Sequence, residues 1–254
     1  MDFNALLLRP SVLNLLRRIV PAPLRRLAWN LHWKHHLWKA RRGVLLEPDV
    51  SRIIKRYLKP GMTAMDIGAN RGLISLLMAD RVGAGGRVIA FEPYPPNVDA
   101  IHYVLESAQL DDRVQLVNKV VNDGGAEHVR LYFGRGESHS EINILGHDID
   151  GHDTRAIDNA DEIDAISIDA FLDSPGPIHL CKIDVEGAES QVLTGMRKTL
   201  ERLHPTLIIE VHSPGNWRQI TQLTRLGYRL LDLNERPLDL SAAFPARHVL
   251  AKAA

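Results

Sequence analysis

"MDIGANRG", residues 65–72, is the stretch whose reading decides the fold. An apolar run from Thr63 climbs into Asp66 and breaks at Gly68, and Gly72 follows four residues later. The pattern reads as a buried strand, a tight turn and a helix N-terminus, an arrangement that brings backbone N–H groups close to a ligand. Glycine is expected in the turn because a Cβ would obstruct that approach.

The dinucleotide pattern G-x-G-x-x-G would need glycine at positions 70 and 73, where the chain has Asn70 and Leu73. A nicotinamide-dependent oxidoreductase therefore fails at two of its three glycines. Asp66 favours a different adenosine cofactor. A carboxylate at a strand end can accept from the cationic amine of S-adenosylmethionine, whereas it would repel a pyrophosphate. The plainer reading of Asp66 is a helix N-cap or turn former.

Working outward, short apolar strands alternate with amphipathic helices from Val44 onward, the rhythm of a βαβ sheet. The pattern predicts helices over 49–57, 73–81, 95–107, 188–200 and 217–226. It predicts strands over 63–67, 87–91, 114–121, 129–133, 178–183, 206–211 and 228–233, with 248–251 closing a late antiparallel hairpin. The polar stretch 134–164, which contains "HDIDGHD", reads as a long surface loop, and order returns over 165–172. The strand "VIAFEP" ends in Glu92, about two dozen residues after Gly68, where an acidic side chain can take both ribose hydroxyls. Strand three ends in "VVNDGG", whose Asn122 and Asp123 either reach an adenine amino group or form a polar turn.

The 254 residues suit one α/β domain with an extension, and 45% hydrophobic with 24% charged residues is ordinary for a globular chain. Few aromatics argue against a stacking-rich nucleic-acid module. The single cysteine, Cys181, excludes an intrachain disulfide or a Cys-rich metal site and suits a reducing cytoplasm. The zero net charge hides a polarity. Residues 1–43 hold nine Lys or Arg against Asp2 alone, a net of +8, which leaves −8 for residues 44–254. The basic segment predicts two amphipathic helices. They either cap the acidic domain or make peripheral contact with an anionic membrane. A binding module that uses this arm would not need acids at successive strand ends.

"MDIGANRG", "FEPYPPN", "VVNDGG", "ISIDAFL", "CKIDVEGAE" and "IIEVH" follow one another in the order and spacing of the FkbM-type S-adenosylmethionine-dependent methyltransferases, which the chain resembles over roughly residues 60–212. The resemblance implies a class I methyltransferase (Rossmann-like) α/β fold: a seven-stranded sheet, helices on both faces and a terminal antiparallel hairpin. It implies methyl transfer to a hydroxyl oxygen of a carbohydrate or secondary metabolite, a small-molecule or saccharide acceptor, and no nucleic acid. Cofactor contacts are then expected from Asp66, Gly68, Asn70, Gly72, Glu92, Pro93, Asn122 and Asp123. Whether the chain forms a homodimer is left open.

A second constellation follows the later strands. Asp184 and Glu186 follow one strand, and Glu210 and His212 end the next, so four ionisable groups converge beside the expected methyl group. A hydroxyl is a poor nucleophile until it loses its proton, which gives a base near neutral pKa a task. His212 fits by its intrinsic pKa, and Asp184 fits if burial and acidic neighbours raise it. Lys182, Glu186 and Ser140 are expected on the acceptor side, with His139 lining the same loop. No resident metal is expected. The "HDIDGHD" loop resembles half an EF-hand but has Asn159 where the bidentate glutamate belongs.

Overall fold

The computed structural model describes residues 47–132, 143–144, 160–172, 176–242 and 247–253. The basic segment 1–43, His139, Ser140 and the "HDIDGHD" stretch lie outside them.

After a first helix, α1 (Pro48–Tyr57), the chain lays down β1 (Thr63–Ile67), α2 (Leu73–Val82), β2 (Arg87–Phe91), α3 (Pro95–Ala108) and β3 (Val114–Val117). It returns with β8 (Leu180–Ile183), β9 (Thr206–Glu210), β10 (Tyr228–Leu231) and β11 (His248–Ala253). The seven-stranded sheet runs β10-β11-β9-β8-β1-β2-β3. All neighbours are parallel except β11, which pairs antiparallel with both β9 and β10. β1 and β8 are adjacent in space yet far apart in sequence. Their junction is the topological switch point, outside whose strand ends a ligand crevice opens.

The central strands are apolar on both faces because helices cover both. One core packs Ile53, Ile54, Leu76, Met78 and Ile101 against one face, and the other packs Ile168, Val192, Leu200 and Trp217 against the opposite face. Both faces are dry, which suits a parallel sheet.

Three predicted elements are corrected. The strand expected over 114–121 is two: β3 stays in the large sheet, while β4 (Val120–Val121) leaves it to pair with β7 (Ala160–Ile166). Asn118 makes the break, its amide donating to the carbonyls of Glu92 and Pro93 at 2.9 and 3.0 Å. The loop expected over 134–164 contains β6 (Asn143–Ile144) and most of β7, both paired antiparallel with β5 (His128–Tyr132). Its acids hide a period of two in which Ile163 and Ala165 pack on Val120 and Val129. The helix expected over 188–200 is two, α5 (Glu189–Gly195) and α6 (Arg197–Leu203). Gly195 lies where the chain crosses the end of β4, and a Cβ there would sit 1.9 Å from the Asn122 carbonyl oxygen.

The break between α5 and α6 leaves backbone donors to satisfy, and Asp169 supplies the acceptor from the short helix α4 (Ile168–Phe171). Its carboxylate takes the N–H groups of Lys198 and Thr199 at 2.8 and 2.9 Å and the Thr199 hydroxyl at 2.8 Å. Asp169→Ala should therefore lower unfolding free energy by about 0.5–2 kcal/mol, the usual cost of a lost helix cap. Urea denaturation followed by circular dichroism checks it, and Asp169→Asn should recover part of the loss.

Candidate active site

Two turns meet at the switch point. The turn after β1 is anchored to β2, with Gly68 and Ala69 N–H both donating to the Phe91 carbonyl at 3.0 and 2.9 Å. Gly68 has φ of 81°, and a Cβ there would lie 1.8 Å from the carbonyl oxygen of Asp184. The obstruction that glycine avoids is thus the neighbouring turn rather than a ligand. Between the strand ends lies a crevice of about 550 Å³, open to solvent. Gly68, Asn70, Glu92 and Pro93 line one part of it, Lys119, Val120 and Val121 a second, and Asp184 and Glu186 a third.

Glu92 is 2% exposed and faces three donors. One carboxylate oxygen accepts from the Asn70 N–H at 2.7 Å; the other accepts from the Tyr94 N–H at 2.9 Å and the Asn97 amide at 3.2 Å. Burial outweighs these donors and pushes its pKa up to about 7. Asn97 and Tyr94 escaped the sequence reading, because nothing in "YPPN" marks which residues turn back onto the acid.

Asp66 does not reach the crevice. It is sealed beneath the turn, where one oxygen accepts from the Ser75 hydroxyl at 2.6 Å and the other faces the Lys182 ammonium at 3.7 Å. Its partners in this structure are therefore the protein's own Ser75 and Lys182. Burial raises its pKa, opposed mainly by Lys182. Gly72 instead serves as the N-cap of α2, in the left-handed region. Asn122 and Asp123 sit in a polar turn. Their side-chain oxygens accept from Gly124 N–H and Gly125 N–H, each at 2.9 Å, and the Asn122 amide donates to the Ala126 carbonyl at 2.8 Å.

Lys182 lies under the turn. It is buried, in register with Asp66 across β1 and β8, and bonded to Asp184 at 3.0 Å. Burial would lower its pKa, but Asp184 and Asp66 outweigh burial and hold the ammonium charged. Asp184 is raised by burial and lowered by Lys182, with a net rise.

His212 sits among four carboxylates. Nδ1 meets Glu189 at 2.7 Å, while Nε2 meets Glu186 at 3.2 Å, Glu210 at 3.6 Å and Asp184 at 3.9 Å. The hydrogen bonds with Glu186 and Glu189 push its pKa up to about 10. Its intrinsic pKa therefore no longer recommends it as a base, because at neutral pH the ring already carries both protons. Glu189 is the residue that holds the ring. It is wholly buried and also accepts from the Gly187 N–H at 3.0 Å and from the amide of Asn216.

Glu210 is answered from the start of the neighbouring strand β11. Arg247 bonds it directly and His248 lies 3.4 Å away; together they overcome burial and draw its pKa down to about 2. Asp184, Glu210 and His212 bring donor atoms within 4.8 Å of one another, a spacing a cation could use. Each nevertheless has an opposite charge closer by in Lys182, Arg247 or Glu189, so the cluster is a closed charge network.

The family model described as "Methyltransferase FkbM domain" matches residues 66–230, which include both turns and the cluster. The chain belongs to the FkbM methyltransferase family. As such it is an S-adenosylmethionine-dependent methyltransferase. The hexuronic acid methyltransferase AglP of Haloferax volcanii is 26% identical over 194 residues, covering 74% of this chain and 71% of that protein. The AMB antimetabolite synthetase AmbE of Pseudomonas aeruginosa is 27% identical over 182 residues, which is 61% of this chain but 8% of that protein. The structure of the FkbM methyltransferase from Methylobacillus flagellatus KT superposes with a TM-score of 0.51 at 15% identity, over 90% of this chain and 59% of that one. That likeness is one of fold. Among the described residues of this FkbM methyltransferase, no helix is long and apolar enough to cross a membrane.

The charge on His212 has a measurable consequence. A folded-state pKa of about 10 against an ordinary histidine value of 6.5 means that its contribution to stability is complete below about 6.5 and is lost as pH rises through about 10. Melting temperature should fall across that window, and His212→Asn should flatten the fall. The slope will not vanish, because His248, raised to about 9 by Glu210 and Glu47 against burial, titrates in the same direction.

Proposed function

We propose that this enzyme transfers a methyl group from S-adenosylmethionine to a hydroxyl oxygen of a carbohydrate or a similarly hydroxylated metabolite, with Asp184 as the base. The observation that carries this reading is the position of Asp184. It lines the crevice across from Glu92, is partly exposed, and has one oxygen held by Lys182 while the other faces Nε2 of His212. Bound S-adenosylmethionine supplies an electrophilic methyl group on a sulfonium. The protein's own part is to hold the acceptor hydroxyl in line with that methyl and to take up the proton the hydroxyl releases. Asp184 suits the second task because burial raises it from an ordinary carboxylate toward a stronger base. Glu92 suits a ribose diol, which would donate to a carboxylate already fixed by the Asn70 and Tyr94 backbone. AglP, named for methylation of a hexuronic acid, supports a sugar-like acceptor for this chain.

Asp184→Asn should lower methyl transfer by about 10²–10⁴-fold while leaving S-adenosylhomocysteine affinity within a few-fold. Tritiated methyl transfer to a panel of neutral sugars, uronates and cell-extract fractions, beside calorimetry, measures both. Retained turnover in the variant would remove Asp184 from the role.

Cofactor binding should follow the protonation of Glu92. Diol hydroxyls donate to the ionised carboxylate, so affinity for S-adenosylhomocysteine should fall as pH drops through about 7 and level off above it. Glu92→Gln should bind more weakly by about 1–3 kcal/mol at high pH and show no such dependence.

A further inference from the structure

We propose that Lys182 is a positioning residue that couples the cofactor turn to Asp184. Three acceptors surround its ammonium: Asp184 Oδ2 at 3.0 Å, the Gly68 carbonyl at 3.3 Å and Asp66 Oδ1 at 3.7 Å. Its N–H groups bond the first two, and Asp66 faces it as an ion pair. The three acceptors come from different places: the turn that ends β8, the turn that ends β1, and β1 itself. Asp66 stands directly opposite Lys182 in the parallel register, and its Oδ1 is buried with no hydrogen-bond partner. One cation thus ties two carboxylates to the backbone of the turn that walls the crevice.

This arrangement does two things. By occupying Oδ2 it turns the other Asp184 oxygen away from the interior, toward the side where His212 stands. By bonding the Gly68 carbonyl it fixes the turn whose Gly68 and Asn70 line the crevice. The placement of the cofactor and the charge state of Asp184 are therefore set by the same ammonium. The second of these rests on Asp184 being the base.

Every charged group near Asp184 bears on its titration. Lys182 lies on its own strand and Asp66 on β1; Glu210 and His212 stand at the end of β9, Glu186 in the following turn, and Arg247 ahead of β11 beside Glu210. Only Lys182 is both cationic and bonded to Asp184 among the described residues.

The test uses the full chain with Lys182→Met, Lys182→Met/Asp66→Asn and, as an assignment control, Asp184→Asn. The double variant removes the buried carboxylate that Lys182→Met would leave unpaired, so the fold keeps a neutral pair at this position. ¹³C-carboxyl NMR of labelled aspartates follows the titration of Asp184, and calorimetry with S-adenosylhomocysteine reports the turn. The expected result in the double variant is an upward shift of the Asp184 midpoint, with a dissociation constant raised about tenfold, the equivalent of one hydrogen bond. If melting temperature recovers in the double variant and both midpoint and affinity return to wild-type values, Lys182 serves only to neutralise Asp66 and the proposal is overturned. Neither readout needs an acceptor. Failure here is therefore distinct from failure of the O-methylation reading, which would appear as turnover retained by Asp184→Asn.

Discussion

The site depends on two strand-ending turns meeting with no side chain between them. Gly68 and Asp184 end the adjacent parallel strands β1 and β8, and the Asp184 carbonyl occupies the space a Cβ at position 68 would need. Any larger residue would have to push β8 away from β1 at the switch point, where the crevice opens. The same closeness sets the electrostatics. It puts Asp66, Lys182 and Asp184 within one buried knot, and a buried charge is tolerated only when paired. The cation between the two acids is therefore a condition of the fold as well as part of the site.

Much of this was legible in the sequence because it is local. β1, β2 and the antiparallel strand β11 were marked by apolar runs and by glycine, and Glu92 by its place after a strand. Asp184, Glu186, Glu210 and His212 were marked as groups following adjacent strands, and the structure brings all four together. What was not legible depends on contacts between distant segments. Asp66 was assigned to a ligand from its chemistry, yet its partners are Ser75, one helix turn into α2, and Lys182, more than a hundred residues away. The sequence could not say which face of β1 would be sealed. The break between α5 and α6 was equally hidden, since Gly195 is explained by the Asn122 carbonyl and the resulting helix end by Asp169.

The outer parts of the cluster show the same limit. Arg247, just ahead of β11, and His248, its first residue, close on Glu210 from a strand that reads from its sequence as structure alone. β9 presents Glu210 to them because antiparallel pairing sets His248 opposite Glu210. Only the direction of β11 makes this possible; a parallel strand would carry its basic residues to the far end of the sheet.

The choice between Asp184 and His212 as proton acceptor follows from how charge is distributed over this network. A histidine recommends itself as a base when one ring nitrogen is free and its pKa lies near neutrality. Here Glu189 holds Nδ1, and Nε2 faces Glu186, with Asp184 and Glu210 just beyond. Such surroundings stabilise the imidazolium, and a cation cannot take the proton of an acceptor hydroxyl. The same cation is useful beside Asp184. It stands within 3.9 Å of the carboxylate oxygen that Lys182 leaves free, a cation among the other acids. On the proposed reading the two groups divide the work: His212 supplies the positive charge that lets the acids crowd together, and Asp184 keeps the lone pair. Exchanging their roles would require Glu189 to release Nδ1, and that carboxylate is wholly buried and bonded to the Gly187 backbone and to Asn216. Its burial makes the division permanent.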